Sequence, residues 1–254
     1  MKALITGASS GIGRDITRLL VDKYDEFVLV GINLERLIKL KKELLEKNNN
    51  LKIETVSTDL SKKENCIELY NSHKDIDLLI NNAGFGDYGY FDETNLDKDL
   101  AMIDTNITAL HILCKLYVTK MIKKNSGHIL NTASIAGFLP GPLMTTYYAT
   151  KNYVVRLSEG IREELRRKKS KVKISILCPG PVKTNFEVKA NVKFNFNGVD
   201  SKFIAKYAVK HMNRFYIIPQ YKIKLIRLFT KFTSSKFQSK IVYNTQNKRK
   251  GKQK

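Results

Sequence analysis

The chain has 254 residues, of which 43% are hydrophobic and 27% charged, as is typical of a globular α/β domain with a sizeable core. No apolar run is long enough to cross a bilayer, and the first begins at Ala3, so we expect neither a membrane span nor a signal peptide. Three widely separated cysteines without metal-ligand spacing predict reduced thiols, no metal site and a cytoplasmic protein.

The net charge of +21 is concentrated near the end of the chain. Residues 201–254 contain fifteen of the 45 Lys and Arg residues and no Asp or Glu, which leaves +6 for the first 200 residues. The main part of the chain therefore needs no polyanion to explain its charge, and we expect no nucleic-acid partner.

Short apolar runs alternate with helix-length segments along the first 218 residues. Most runs are rich in Val, Ile and Leu without polar alternation, as in parallel strands buried on both faces. We predict strands at 2–5, 26–30, 51–56, 77–80, 128–131, 173–177 and 215–218. The alternation predicts one domain at 1–219 with a Rossmann-type, doubly wound parallel sheet and helices on both faces.

A glycine-rich turn joins the first predicted strand to the first helix. Gly7, Gly11 and Gly13 have the spacing G-x-x-x-G-x-G. Glycine permits a tight turn and a close approach of the backbone to a pyrophosphate, and a helix N-terminus attracts phosphate. Other tight turns also collect glycines, but in this strand–turn–helix context the pattern predicts dinucleotide binding.

Two adjacent tyrosines precede a lysine in the segment "TTYYATKNYVV" at 145–155. On a helix, Tyr147 and Lys151 project from one face about 6 Å apart along the axis. An ammonium group there would favour the phenolate form of a catalytic tyrosine. Tyr148 also reaches Lys151, so spacing alone leaves both tyrosines open, as well as a purely structural role for all three residues.

Four motifs together resemble the signatures of the short-chain dehydrogenase/reductase family. They are the glycine turn from Thr6, "NNAG" at 81–84, Tyr147-x-x-x-Lys151 and "PGPVKT" at 179–184, in the family's order over about residues 1 to 200. The stretch "ASIAGFLPGPLMTTYYATK" is similar to a bacterial subgroup of unassigned specificity. The resemblance implies an NAD(P)-dependent oxidoreductase that reduces a carbonyl or oxidises a secondary alcohol.

The same resemblance implies the catalytic residues. The family's tyrosine and lysine correspond to Tyr147 and Lys151, its serine to Ser134 and its asparagine to Asn106. Tyr147 would transfer the proton, and Ser134 would orient the carbonyl. Lys151 would hold the nicotinamide ribose and stabilise phenolate, and Asn106 would anchor a proton-relaying water. We assign Tyr148 to packing. The alternative is a non-catalytic protein of the same fold that senses a dinucleotide.

The resemblance also places a dinucleotide along the carboxyl ends of the strands. It implies contacts at the glycine turn, at the adenine, along the ribose, and at the nicotinamide and pyrophosphate. The residues are, in that order, Thr6, Gly7, Ser9, Ser10, Gly11, Ile12, Gly13, Arg14 and Asn33; Asp59 and Leu60; Asn82, Ala83 and Gly84; and Pro179, Gly180, Val182 and Thr184.

The residues after the second strand bear on the choice between NADP and NAD. An acidic residue there bonds the ribose 2′-OH in NAD-type sites, but this chain reads Val30-Gly31-Ile32-Asn33. The arginine that many NADP-using relatives carry at the position of Ile32 is also missing. Because no carboxylate repels a 2′-phosphate and Arg14, Asn33 and Arg36 are expected nearby, we expect NADP in preference to NAD.

The substrate side of the site is expected to be apolar. Residues 186–198 form the predicted lid, and the predicted pocket residues favour a hydrophobic ketone, aldehyde or secondary alcohol. They are Phe186, Phe194, Phe196, Phe85, Phe138, Leu139 and Leu143. The resemblance further implies a homodimer or homotetramer built through the helices that carry Asn106 and Tyr147.

Residues 220–254 are predicted to be a basic amphipathic extension with a disordered end. In "YKIKLIRLFTKF", basic residues share one helical arc, and leucines and phenylalanines fill the opposing arc. Such a helix could dock on its own domain or on a sister subunit, lie on an anionic membrane, or bind nucleic acid. Nucleic acid is the least favoured because no recognition motif is present. Docking on its own domain or on a sister subunit is the favoured alternative. Our hypothesis is that the segment also holds the protein loosely to a membrane.

Overall fold

The computed structural model describes residues 1–183 and 198–250, and a seven-stranded parallel sheet forms its centre. These strands are β1 (Lys2–Thr6), β2 (Glu26–Gly31), β3 (Lys52–Ser57), β4 (Leu78–Asn81), β5 (His128–Thr132), β6 (Lys173–Leu177) and β9 (Tyr216–Ile217). Their order is β3-β2-β1-β4-β5-β6-β9, and each neighbouring pair is parallel. Two short strands, β7 (Val182–Lys183) and β8 (Val199–Asp200), form a separate parallel pair.

Helices alternate with these strands along the chain. They are α1 (Gly11–Arg18), α2 (Leu34–Lys47), α3 (Lys63–Ser72), α4 (Leu96–Ile103), α5 (Leu110–Lys124), α6 (Thr145–Arg167), α7 (Ser201–Lys210), α8 (Tyr221–Phe229) and α9 (Ser235–Lys250). A π-helical segment, Asp104–Ala109, joins α4 to α5, and a 3-10 turn, Ile135–Phe138, follows β5.

The sheet is buried on both faces, which explains its unalternating apolar strands. Successive residues of a strand point to opposite faces. On β1, Leu4 belongs to the core cluster with Leu113 and Val154 of α5 and α6, and Ile5 to the cluster with Ile16 and Leu37 of α1 and α2. The predicted doubly wound sheet with helices on both faces is therefore confirmed. The three cysteines are buried as free thiols.

The strand order reverses between β1 and β4, and this position sets the site. In such sheets, ligands bind in the crevice beyond the carboxyl ends of the strands at the point of reversal. The glycine turn follows β1, the segment 82–84 follows β4, Ser134 follows β5 and Pro179 follows β6. The topology thus brings all four motifs to one edge of the sheet.

The C-terminal helices dock on their own domain, which was the first alternative for the amphipathic segment. The Gly180 N–H donates to Gln220 Oε1 (2.7 Å) just before α8, and Gln246 Nε2 of α9 donates to the Tyr148 hydroxyl (2.9 Å). Helix α9 runs to Lys250, so it includes the start of the basic tail that was expected to be disordered; residues 251–254 lie outside the described part. Within the described residues, no helix combines the length and the apolar character that crossing a bilayer requires.

Candidate active site

The glycine turn after β1 has the backbone geometry that its spacing predicts. Gly7 (φ +67°) and Gly11 (φ +56°) adopt left-handed conformations that favour glycine. A Cβ atom on Gly13 would lie 2.5 Å from the Gly7 carbonyl oxygen, so α1 approaches the turn more closely than any other residue allows. Ser10 precedes α1 without making a side-chain capping bond. The turn and the N-terminal end of α1 therefore fit a pyrophosphate.

Thr6 fastens the segment after β4 to this turn. Its Oγ1 donates to the Ile80 carbonyl (3.3 Å) and accepts from the backbone N–H groups of Asn82 (2.9 Å) and Ala83 (3.0 Å). The Asn82 side chain donates in turn to the Thr6 and Gly7 carbonyls, both at 3.3 Å. The first and second predicted motifs therefore form one continuous wall.

A cavity of about 490 Å³ lies against this wall and extends to the C-terminal helices. Its volume is within the range of small-molecule sites. Many of the predicted site residues line it, namely Gly7, Ser10, Gly11, Ile12, Asn82, Gly84, Ser134, Leu139, Tyr147, Lys151, Pro179, Gly180 and Val182. Thr184 and the predicted lid residues Phe186, Phe194 and Phe196 lie outside the described residues.

Other predicted cofactor residues lie behind the cavity wall or beyond it. Asn33 caps α2, where its Oδ1 accepts from the Arg36 N–H (2.8 Å), and the Asp59 carboxylate accepts from the Ser61 N–H (2.9 Å). Leu60 is buried in the core. Eight of the predicted cofactor residues do not line the cavity that the described residues form. They are Thr6, Ser9, Gly13, Arg14, Asn33, Asp59, Leu60 and Ala83.

The cavity brings Ser134, Tyr147 and Lys151 together. Ser134 follows β5, where its Oγ accepts from the Ala136 N–H (3.2 Å), and its side chain is hydrogen-bonded to that of Tyr147. Lys151 lies one turn after Tyr147 on α6, with its Nζ 5.9 Å from the centre of the Tyr147 ring. The Nζ donates to the Thr132 carbonyl (3.0 Å).

Burial sets the ionisation of both groups. It raises the pKa of Tyr147 well above its ordinary value, although the hydrogen bond to Ser134 opposes this shift. Burial also lowers the pKa of Lys151 to about 8, because the charged ammonium loses its hydration. The direction is opposite to the lowering that the sequence led us to expect from the ammonium, and Tyr147 stays protonated at neutral pH. This is the state that can donate a proton.

Asn106 lies on the π-helical segment, and both its Nδ2 and its Oδ1 bond to protein groups. Its Nδ2 donates to the Phe85 carbonyl (2.9 Å) and to Thr150 Oγ1 (3.0 Å), and its Oδ1 accepts from the Phe85 N–H (3.1 Å). A Cβ atom on Gly84 would lie 2.7 Å from Asn106 Oδ1 and 3.5 Å from Lys151 Nζ. Asn106 therefore holds the loop after β4 close to Lys151.

Tyr148, which the sequence assigned to packing, lines the cavity beside Tyr147. Its hydroxyl accepts from Gln246 Nε2, and its ring lies so close to Gly141 that a Cβ atom there would fall 1.9 Å from the Tyr148 Cγ. Only glycine can stand behind this ring. Tyr148 is therefore a fixed part of the cavity wall.

The C-terminal helices supply the cavity residues that sequence reasoning missed. They are Ile223, Ile226, Phe229, Gln238, Ile241, Val242, Thr245 and Gln246. The signal was present, because Gln238, Val242 and Gln246 recur every four residues and all three are buried. Of the predicted apolar residues outside the lid, only Leu139 lines the cavity; Phe138 instead packs between Tyr216 and Arg227. Phe85 and Leu143 lie outside its wall.

Comparison with known proteins agrees with this geometry. Residues 1–194 match the family model described as short chain dehydrogenase. An uncharacterized oxidoreductase of Staphylococcus saprophyticus is 35% identical over 185 residues, which cover 71% of this chain and 74% of that protein.

Two solved structures extend the similarity to nearly the whole chain. A short-chain dehydrogenase from Sphingobium yanoikuyae in complex with NADPH has a TM-score of 0.83 and 26% identity, and the match covers 91% of this chain and 93% of that one. A short chain dehydrogenase/reductase from Burkholderia phymatum in complex with NAD has a TM-score of 0.80 and 26% identity, with 89% and 92% covered. These findings agree with the predicted enzyme class and with NADP or NAD as the cofactor. The chain belongs to the short-chain dehydrogenase family.

Proposed function

We propose that the chain reduces the carbonyl group of a small apolar ketone or aldehyde, or oxidises the corresponding secondary alcohol. The observation that carries this proposal is the cluster of Ser134, Tyr147 and Lys151 on a cavity wall shared with the glycine turn. The donor and acceptor of a proton thus lie beside a surface that fits a dinucleotide. A bound nicotinamide would supply the hydride for reduction and accept it in the reverse direction.

Tyr147 is the proton donor in this mechanism. The Ser134 hydroxyl donates a hydrogen bond to the substrate carbonyl oxygen and holds it next to Tyr147. As the carbonyl carbon accepts the hydride, the Tyr147 hydroxyl gives its proton to that oxygen, and the tyrosine becomes a phenolate. The ammonium of Lys151, one helical turn away, offsets this new negative charge.

Lys151 passes a proton back to Tyr147, and Asn106 positions the groups along its path. The pKa of about 8 lets Lys151 both hold and release a proton near neutral pH. Asn106 fixes the Phe85 backbone and Thr150, the residue directly before Lys151. We propose that Asn106 thereby keeps open the path along which a water returns the proton.

The cavity wall favours an apolar substrate. Beyond the catalytic cluster it is formed mainly by aliphatic and aromatic side chains, including Ile135, Leu139, Met144, Ile223, Ile226 and Phe229. Tyr148, Gln238 and Gln246 are polar exceptions on the same wall. We therefore propose a hydrophobic substrate with a single reacting polar group near Ser134.

Replacing Tyr147 tests the mechanism. NADPH oxidation with a panel of ketones and aldehydes should fall at least about 100-fold in kcat/KM for Tyr147→Phe. Tyr148→Phe is the matched control, because it removes the neighbouring hydroxyl and should lose less than about ten-fold. NADPH binding, followed by fluorescence, should persist in both variants. Undiminished turnover by Tyr147→Phe would refute the assignment, and binding without turnover in the unmodified protein would favour the dinucleotide-sensing alternative.

We further propose NADP rather than NAD as the preferred cofactor. Asn33 and Arg36 meet at the start of α2, beyond the end of β2, where the ribose 2′ position is expected. The segment Gly31–Ile32–Asn33 offers no carboxylate to a 2′-phosphate. The ratio of kcat/KM with NADPH to that with NADH should exceed one and should fall in Arg36→Ala. A clear preference for NADH would refute this proposal.

A cytoplasmic homodimer or homotetramer remains our proposal for the assembly. The helices that carry Asn106 and Tyr147 would form its interface, as the family resemblance implies. Light scattering on the purified protein tests the assembly, and a strictly monomeric mass would refute it. The predicted peripheral membrane contact through the C-terminal segment also remains a proposal.

A further inference from the structure

Helix α8 leaves several large apolar side chains exposed to solvent although it docks on the domain. Its inward side carries the buried Ile223 and the half-buried Arg227, whose guanidinium lies 3.6 Å from the centre of the Tyr216 ring. At about 100° per residue, Leu225 and Leu228 project from the opposite side, and the exposed Phe232 follows the end of the helix. Docking on the domain therefore buries Ile223 and covers part of Arg227, and it leaves Leu225 and Leu228 uncovered.

The exposed apolar side of α8 continues onto α9. The Phe229 and Phe237 rings are 6.2 Å apart across the junction of the two helices. We name this surface the apolar ridge and define it by Leu225, Leu228, Phe229, Phe232, Phe237 and Ile241. Each of these side chains is between 42% and 80% exposed. Six neighbouring large apolar residues exceed the scattered single ones of an ordinary surface and mark an interaction site.

Lysines border the apolar ridge on both sides. They are Lys222, Lys224, Lys231, Lys236 and Lys240, and none forms an ion pair with a residue that the structure describes. No Asp or Glu occurs anywhere from 201 to 254. The apolar ridge therefore has a uniformly cationic border.

The cavity opens beside the apolar ridge. Ile226, Phe229 and Ile241 line the cavity and are between 37% and 46% exposed, and Phe229 and Ile241 also belong to the apolar ridge. The cavity and the apolar ridge therefore share side chains. A molecule held at the apolar ridge would lie next to the catalytic cavity.

We propose that the apolar ridge docks on an anionic lipid surface, from which apolar carbonyl compounds pass into the cavity. Leucine and phenylalanine side chains flanked by lysines are the combination that an in-plane helix uses at a bilayer. The passage of substrate rests on the proposed carbonyl reduction, whereas the docking does not. A second copy of the chain fits less well, because two-fold pairing would bring both sets of lysines together without acidic partners.

Vesicle co-sedimentation of the full chain tests this docking. Vesicles of phosphatidylcholine with about one third phosphatidylglycerol should bind the protein at low salt, and phosphatidylcholine alone should bind it much less. The double variant Leu228→Gln/Phe232→Gln should lower the partition coefficient at least about ten-fold on the anionic vesicles. Neither residue lines the cavity.

Leu96→Gln is the matched control, because Leu96 is a leucine at the start of α4, outside the apolar ridge, whose 70% exposure lies between those of Leu228 (53%) and Phe232 (80%). It should bind the vesicles like the unmodified protein. NADPH binding shows that each variant is folded, and Tyr147→Phe should keep vesicle binding even though it loses turnover. Turnover therefore tests the carbonyl reduction and vesicle binding tests the docking, and each can fail without the other.

Equal vesicle binding by the unmodified protein and the double variant, or no binding by either, would overturn the proposal. A lower molecular mass of the double variant in light scattering, without any vesicle binding, would identify the apolar ridge as an interface between copies and would also overturn it.

Discussion

At the scale of single residues, Lys151 shows a conflict between stability and the proposed catalysis. The side chain is almost fully buried, and burial lowers its pKa from 10.5 to about 8. A depressed lysine pKa means that the folded state disfavours the ammonium, which costs about 3 kcal/mol of stability at neutral pH. Its hydrogen bond to the Thr132 carbonyl recovers only about 1 kcal/mol. An apolar residue of the same length should therefore suit the fold better.

We predict that Lys151→Met raises the free energy of unfolding by about 2 kcal/mol at pH 7 and reduces kcat/KM at least about 100-fold. The gain should shrink between pH 8 and 10.5, because in that window the folded lysine is neutral while the unfolded one still binds a proton. Urea unfolding at several pH values measures this dependence. A variant less stable than the unmodified protein at pH 7 would show that burial of Lys151 is not costly.

The two adjacent tyrosines mark the limit of residue-scale prediction. Spacing alone could not separate Tyr147 from Tyr148, and only the family resemblance did so. The sign of the Tyr147 pKa shift was also beyond the sequence, because desolvation depends on the groups that the fold packs around the hydroxyl. Local motifs thus indicate which groups react, while burial determines their protonation.

At the scale of elements, the helices at the end of the chain complete the cavity. Gln246 of α9 donates to Tyr148, its own carbonyl accepts from the Tyr88 hydroxyl (3.1 Å), and the Tyr90 and Tyr243 hydroxyls are 2.8 Å apart. These bonds join α9 to the loop after β4 and to α6. They hold an otherwise polar helix over the apolar cavity.

We predict that Gln246→Leu raises KM for a bulky ketone about five-fold or more, with a smaller change in kcat. Losing the side-chain bond to Tyr148 loosens the contact between α9 and α6 at the cavity wall. Asn244→Leu is the control, since Asn244 lies on the exposed side of the same helix and should leave KM unchanged. Steady-state kinetics with one substrate decides, and equal KM values for both variants would contradict the role of Gln246.

The elements differed in how far the sequence predicted them. All seven strands of the main sheet were predictable, because each lies in a short segment rich in aliphatic or β-branched residues, and that pattern is local. The place of α9 was not, because its bonds to Tyr88 and Tyr148 span 158 and 98 residues. Amphipathic spacing predicted the α8 helix, but not that Arg227 of its basic face would pack on the Tyr216 ring.

At the scale of the whole molecule, one buried carboxylate links the two ends of the main domain. Asp15 of α1 is 2% exposed, and it accepts hydrogen bonds from Ser201 of α7, 186 residues away, and from its neighbours Arg14 (3.2 Å) and Arg18 (2.9 Å). Helix α1 also begins at the glycine turn of the dinucleotide site. The position of α7 and the geometry of that turn therefore depend on the same side chain.

We predict that Asp15→Ala lowers the free energy of unfolding by about 2 kcal/mol, because it removes the buried carboxylate that accepts from Arg18 and from the Ser201 hydroxyl, and Arg18 keeps only its pair with Glu43. NADPH affinity should fall as well, since α1 loses its link to α7. Asp25→Ala is the control: Asp25 is 81% exposed and pairs with the N-terminal amine, so its loss should leave the unfolding midpoint close to that of the unmodified protein. Urea unfolding of the three proteins measures the difference, and equal midpoints for the two variants would show that the carboxylate of Asp15 does not hold the domain together.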